Sequence, residues 1–219
     1  MISAHRSPQK AVCYMEVIME LKSSRTKENL MRAFAGKSMA RNRYTFAAAT
    51  AKREGYPVLE ALFSFTAGQE KEHAEIFYEY LRGCGCTNVE ISAGYPVGEK
   101  ADIQSLLEYA VHNEEEEHGL IYPDFAKMAH QEGLEEIAGK FGLIAKIEKL
   151  HAERFDLFLN YLKNDQMYIS EQDTGWTCLN CGFMVTSTVA PKECPVCGHP
   201  RGWFCRVELA PFQKCRNGV

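Results

Sequence analysis

Two pairs of cysteines offer the most specific chemistry in this chain. Cys178-x-x-Cys181 and Cys194-x-x-Cys197 are separated by twelve residues, and each pair is followed by a glycine, Gly182 or Gly198. A Cys-x-x-Cys turn sets two thiolates on one ion. The glycine after it permits positive φ and a close approach of backbone N–H groups to sulfur. Four thiolates complete a tetrahedral site for zinc or a single iron, and spacing does not choose between them. Trp176, Phe183, Trp203 and Phe204 are expected to pack around the ion, supplying the core of so small a module. Cys205 and Cys215 lack this context and read as free thiols.

The second set of candidates is acidic and imidazole. Glu70-x-x-His73 and Glu148-x-x-His151 repeat one spacing, and Glu114-x-x-Glu117 repeats it with two acids. Residues three apart share a helix face. Each of these pairs lies in line with large apolar residues on both sides, whereas Glu115 and Glu116 fall off that line and read as surface. Unpaired buried carboxylates cost several kcal/mol each, on the order of the penalty for any uncompensated interior charge. A metal ion removes that penalty, and oxygen with imidazole nitrogen suits iron or manganese. Taken singly, a Glu-x-x-His or an acidic run is a solvated face; two in-phase copies plus the acidic third segment form a constellation. His5, His112, His118, His130 and His199 have no such support and are assigned surface or structural roles.

Four helices must position these groups. Apolar residues recur at three- and four-residue steps in four segments. The first runs from about Thr26 to Arg53 through Leu30, Ala33, position 37, Ala40, Tyr44, Ala48 and Ala51, with Thr26 as its expected cap. Gly55-Tyr-Pro57 separates it from the second, which carries Leu59, Leu62, Thr66, Glu70, His73, Phe77 and Tyr80 and stops at Gly83. The third carries Leu107, Ala110, Glu114, Glu117, Ile121, Phe125 and Met128, and Tyr122-Pro123 predicts a kink inside it. The fourth carries Ile144, Glu148, His151, Phe155, Phe158 and Leu162. Only the connection from Gly83 to about Ala101 is long. A bundle with one long crossover has ferritin-like connectivity. The fold class is therefore mainly α: a ferritin-like four-helix bundle over 19–168, then a small metal-binding β/loop module over 174–219, with 1–18 as an extension. Residues 1–18 fit no element, and Met19 is expected to be the natural start.

Composition sets the limits around this reading. Of 219 residues, 46% are hydrophobic and 25% charged, enough to bury a core in a soluble protein. The net charge of −4 gives no basic excess for nucleic acid, and no polybasic cluster points to a membrane surface. The segment from Thr174 onward is formally +3, which leaves −7 for the rest and marks a boundary near 168–174. No apolar run reaches the roughly 18 residues of a spanning helix. The first 25 residues lack a secretory layout, and nine cysteines, an odd number, favour metal or redox chemistry in a reducing cytoplasm.

In its motifs, their order and their spacing, the chain resembles the rubrerythrins, a ferritin-like di-iron domain followed by a rubredoxin-like domain. The resemblance covers about residues 19–208. It rests on Ser24-Arg-Thr26, Phe34-Ala-Gly36, Ala40-Arg-Asn-Arg-Tyr44, Gln69-Glu70-Lys-Glu-His73, Tyr122-Pro123, Glu148-Lys-Leu-His151 and both cysteine pairs. It implies reduction of hydrogen peroxide to water, with electrons from a reduced pyridine nucleotide arriving through a separate reductase or rubredoxin. It implies one iron on the four cysteines and a carboxylate-bridged iron pair in the bundle, zinc being the competing metal at either place. Carried over by position, Glu70 and Glu148 bridge the metals and His151 and Glu114 are terminal ligands. Glu117 and His73 exchange on one iron as its oxidation state changes. Tyr44 and Tyr122 stand nearby, although either also suits an aromatic core. The resemblance further implies a homodimer.

Lys37 departs from the pattern. A site of this type expects a glutamate on the first helix, and Lys37 occupies that phase. Either it snorkels out along its aliphatic stem, or its ammonium lies among the carboxylates and partly replaces the metal nearest the first helix. The leading expectation is a non-haem iron peroxidase with a built-in electron carrier, its activity dependent on what Lys37 does. The competing expectations are an iron-binding or electron-transfer protein with an impaired or single-metal bundle site, and a zinc-stabilised scaffold.

Overall fold

The computed structural model describes residues 20–211. Residues 1–18, Cys13 and Cys215 lie outside that range, as does His5. Helices α1 (Arg25–Arg53), α2 (Pro57–Gly83), α3 (Ile103–Glu116), α4 (Tyr122–Gln131) and α5 (Glu135–Lys163) are followed by strands β1 (Ile169–Cys178), β2 (Met184–Val189) and β3 (Phe204–Arg206). The protein is mainly α, as the periodicity predicts. No helix among the described residues is long and apolar enough to cross a membrane.

The chain forms two compact units. The first takes the described residues up to Asn42, Ala67–Val97 and His112–Ala152; the second takes Arg43–Thr66, Gly98–Val111 and the described residues from Glu153 onward. Each unit is a section of four helical stretches. In the first, Phe77, Tyr122 and Phe141 stack with ring centroids 5.2–5.9 Å apart, and Leu30, Leu134, Ile137 and Ile144 complete the core. In the second, Tyr44, Phe63 and Phe155 pack together at 5.1–5.9 Å.

The second unit also contains a three-stranded antiparallel sheet of order β2-β1-β3. Trp176, Cys178, Ala190, Cys194 and Phe204 are its core, with Phe183 and Trp203 packed alongside. All four expected aromatics are therefore in place. Buried Arg206 was not foreseen. Its guanidinium lies over Tyr161 and Trp176 and donates to the carbonyls of Gln166 and Ile169. Gly202 packs so close to the α1–α2 turn that a Cβ there would lie 2.3 Å from the Gly55 carbonyl oxygen.

Two local expectations need correction. The α1 side-chain cap is Ser24, whose Oγ accepts from the Lys27 N–H at 3.1 Å, and Thr26 lies inside the first turn. Glu132 accepts there from the N–H groups of Arg25 and Thr26 and from the Thr26 hydroxyl. The third stripe also changes phase. A π-helical turn, Glu117–Ile121, separates α3 from α4. Its extra residue advances the buried face by one position, so Tyr122 and Ala129 are buried where Ile121 and Met128 were expected. The predicted break is real, and the π turn just before Pro123 makes it.

Candidate metal centres

The acidic site is built in the first unit. α1 contributes Lys37, α2 Glu70 and His73, α3 Glu114, the π turn Glu117, and α5 Glu148 and His151. The in-phase spacing turns each group inward, and Lys37, Glu70, Glu148 and His151 have no solvent exposure. Glu115 and Glu116 are exposed, as expected.

Each long helix brings one or two charges to the same level. The Lys37 Nζ lies 2.8 Å from Glu70 Oε2, 2.8 Å from Glu148 Oε1 and 2.5 Å from Glu117 Oε2. It does not snorkel out. On the other side of the same two carboxylates, His151 Nδ1 lies 3.3 Å from Glu70 Oε1, 3.0 Å from Glu148 Oε2 and 3.6 Å from Glu114 Oε2. His73 Nδ1 is 3.1 Å from Glu148 Oε1. The Tyr122 ring centroid is 5.5 Å from the Lys37 Nζ. Tyr44 packs in the aromatic core of the second unit with Phe63 and Phe155.

The donor set suits a metal ion. Ligand atoms of Glu70, Glu114, Glu148 and His151 all fall within 4.8 Å of one another. Yet Glu70 Oε1, Glu148 Oε2 and His151 Nδ1, so close together, make no hydrogen bond of proper geometry with any described residue. They converge on a common point instead of on each other. Donors about 2.1 Å from one ion lie about 3.0–3.4 Å apart in octahedral or tetrahedral arrays; His151 Nδ1 meets this with Glu148 at 3.0 Å and Glu70 at 3.3 Å, and Glu114 lies slightly farther at 3.6 Å. The motif Gln69-Glu70-Lys-Glu-His73 contains Gln69 but gives it no role. The Gln69 Oε1 lies 3.1 Å from His151 Nε2, placed to accept that N–H, so that Nδ1 is the nitrogen facing the carboxylates and the one a metal would take in place of a proton.

Electrostatics follow from burial and crowding. Burial opposes the charge on Lys37, but the carboxylates of Glu117, Glu148 and Glu70 outweigh it and hold the ammonium well above its ordinary range. Burial pushes Glu114 up to about 8 against the pull of Lys37. Glu70, despite burial, is drawn down to about 2 by Lys37. Burial would lower His151 too, yet the adjoining Glu114, Glu148 and Glu70 raise it to about 11. The cluster thus holds positive charge strongly, and a metal ion competes with protons for it. Glu117, 14% exposed in its side chain, and His73, 7%, form the side nearest solvent.

The cysteine site is as compact. Cys178 and Cys197 sulfurs are 3.7 Å apart, and those of Cys181 and Cys194 3.6 Å. Four sulfurs about 2.3 Å from one ion lie about 3.8 Å apart. Gly182 and Gly198 take φ of 78° and 70°, and their N–H groups close the turns on the Cys178 and Cys194 carbonyls. The backbone N–H of His199 draws Cys197 down to about 6, toward the thiolate a metal needs. Cys205 is buried and free, its thiol pushed up to about 12 by burial. His118 and His199 bond backbone carbonyls, His130 pairs with Glu135 at the surface, and His112 is exposed.

The rubrerythrin family model matches residues 28–159, more than half the chain, and the model for the rubrerythrin rubredoxin-like domain matches 176–205. The chain belongs to the rubrerythrin family. Rubrerythrin of Porphyromonas gingivalis is 41% identical over 86% of this chain and 93% of its own length. Rubrerythrin of Nitratidesulfovibrio vulgaris is 41% identical over 84% and 95%. Among solved structures, nigerythrin in its fully reduced, all-ferrous state aligns with a TM-score of 0.56 at 25% identity, covering 84% of this chain and 90% of that one. Both this chain's four-cysteine set and its buried carboxylate–imidazole set are assembled, with Lys37 as a cation inside the second.

Proposed function

We propose that this rubrerythrin is a non-haem iron oxidoreductase that reduces hydrogen peroxide to water, passing electrons from an iron on Cys178, Cys181, Cys194 and Cys197 to iron in the helical site. The observation that carries this reading is the convergence of Glu70, Glu148 and His151 donor atoms with no hydrogen bond among them. The all-ferrous state of nigerythrin supports iron as the metal. The ligands are Glu70, Glu114, Glu148 and His151, with Glu117 and His73 on the solvent side and Lys37 in place of a first-helix carboxylate.

Bound iron supplies the electrons: one peroxide, two electrons and two protons give two waters. The chain's own residues do the rest. Gln69 orients His151, and burial excludes bulk water from Glu70 and Glu148. Glu117 and His73, nearest solvent, admit a small oxidant and carry protons to it. The Lys37 ammonium holds Glu117 in place, with the Tyr122 ring packed 5.5 Å from it. The cysteine turns fix the four sulfurs that would hold an iron, and such an ion would change oxidation state there with little ligand movement. We read the working unit as a helical domain up to residue 168 and a cysteine domain from residue 174. A cytoplasmic homodimer reduced by an NAD(P)H-linked reductase or a rubredoxin completes the proposal.

Lys37 favours one second reading, an iron-binding electron-transfer protein whose helical site does not catalyse. Anaerobic reduction followed by rapid mixing with hydrogen peroxide separates the two. Peroxidase activity predicts return of the red ferric tetrathiolate colour in step with peroxide loss, at one peroxide per two electrons. A red centre that cycles with other oxidants while peroxide is left unconsumed establishes the second reading instead.

A further inference from the structure

We propose that the helical site holds one metal ion, the Lys37 ammonium occupying the second cation position and sharing Glu70 and Glu148 with that ion as bridging carboxylates. This rests on the reading of the cluster as a metal centre and adds its stoichiometry.

The carboxylate oxygens are divided between two cations. Glu70 turns Oε2 to Lys37 and Oε1 toward His151; Glu148 turns Oε1 to Lys37 and Oε2 toward His151. Each carboxylate therefore spans two positions. His151 and Glu114 line one of them. Lys37 fills the other, donating to Glu70 Oε2 and forming ion pairs with the oxygens of Glu148 and Glu117. An ion about 2.1 Å from the Lys37-facing oxygens would coincide with the ammonium itself.

Lys37 has no ready way out. It is fully buried on the α1 face that also buries Ala33 and Ala40. Three carboxylates, Glu70, Glu117 and Glu148, face the Lys37 ammonium, and the fourth, Glu114, faces His151. A second divalent ion would have to share those three carboxylates with a fixed cation that already lies against them. The electron capacity follows: the helical site yields one electron and the cysteine site one, two per chain in total.

The metal-free full-length protein is loaded anaerobically with ferrous iron, freed of excess and crystallised, and iron is located by its anomalous scattering. Two irons per chain are expected, one among the cysteines and one among Glu70, Glu114, Glu148 and His151. Reductive titration of the oxidised form should take two electrons per chain. Lys37→Glu should raise the counts to three irons and three electrons. Two irons in the helical site of the unaltered chain would overturn the stoichiometry while leaving the metal-centre reading intact; none there would overturn both. A folded Lys37→Glu protein that still holds one helical iron would remove Lys37 as the excluding group. If that variant does not fold, the unaltered chain alone decides.

Discussion

Gln69 shows how much of a metal site lies one residue away from its ligands. Its Oε1, 3.1 Å from His151 Nε2, settles which ring nitrogen is left to bind. Removing such a partner typically weakens metal binding 10–100-fold. Gln69→Ala should lower the ferrous affinity of the helical site by about that factor and leave the cysteine site unchanged. Competition with a metallochromic chelator measures both, and equal loss at the two sites would contradict the assignment. The Glu-x-x-His spacing marks the ligands because three residues return to one helix face. It is silent on Gln69, since an amide beside a glutamate has no periodic signature. Lys37 was legible as an anomaly of phase, but its choice between solvent and carboxylates depended on three partners from α2, the π turn and α5.

At the scale of elements, helix ends and the π turn decide the placement of the site. Glu132, following α4, accepts from the first N–H groups of α1, where the helix dipole favours negative charge. These hydrogen bonds and Arg25 hold its carboxyl below the ordinary 4.5 in spite of partial burial. A group with a depressed folded value stabilises above its unfolded value, and the contribution fades as pH falls through the folded one. Glu132→Ala should therefore cost about 1 kcal/mol at pH 7, the difference shrinking on acidification below 4.5. Urea denaturation of metal-free protein at a series of pH values tests this; a penalty constant down to pH of about 3 would count against it. The helices themselves were readable nearly to their ends. The π turn was not, because one inserted residue leaves the sequence pattern ambiguous between two faces until Phe77 and Phe141 select Tyr122 as their stacking partner.

For the whole molecule, two kinds of stability coexist. The helical stretches bury continuous apolar stripes, whereas the sheet module encloses only a few residues around four sulfurs. So small a core depends on its ion. Stripping the cysteine-bound metal with a strong chelator should unfold this module and expose Trp176, seen as a red shift in tryptophan emission. The far-ultraviolet helical signal should persist. Retention of a buried Trp176 emission after complete metal loss would show that the sheet stands alone. The contact of Gly202 with Gly55 lay beyond the sequence, since nothing local to either glycine names the other as its neighbour.

By itself the sequence determined the ligand types, their helical phase, the four-cysteine module and the family, because each is a matter of local spacing or of motif order along one chain. Only the tertiary structure decided that the Lys37 ammonium sits between Glu70, Glu148 and Glu117, and that Glu70 and Glu148 each turn one oxygen to it and the other toward His151. Those facts depend on the distances between different helices, and a buried charge takes its place according to the partners that packing brings within reach.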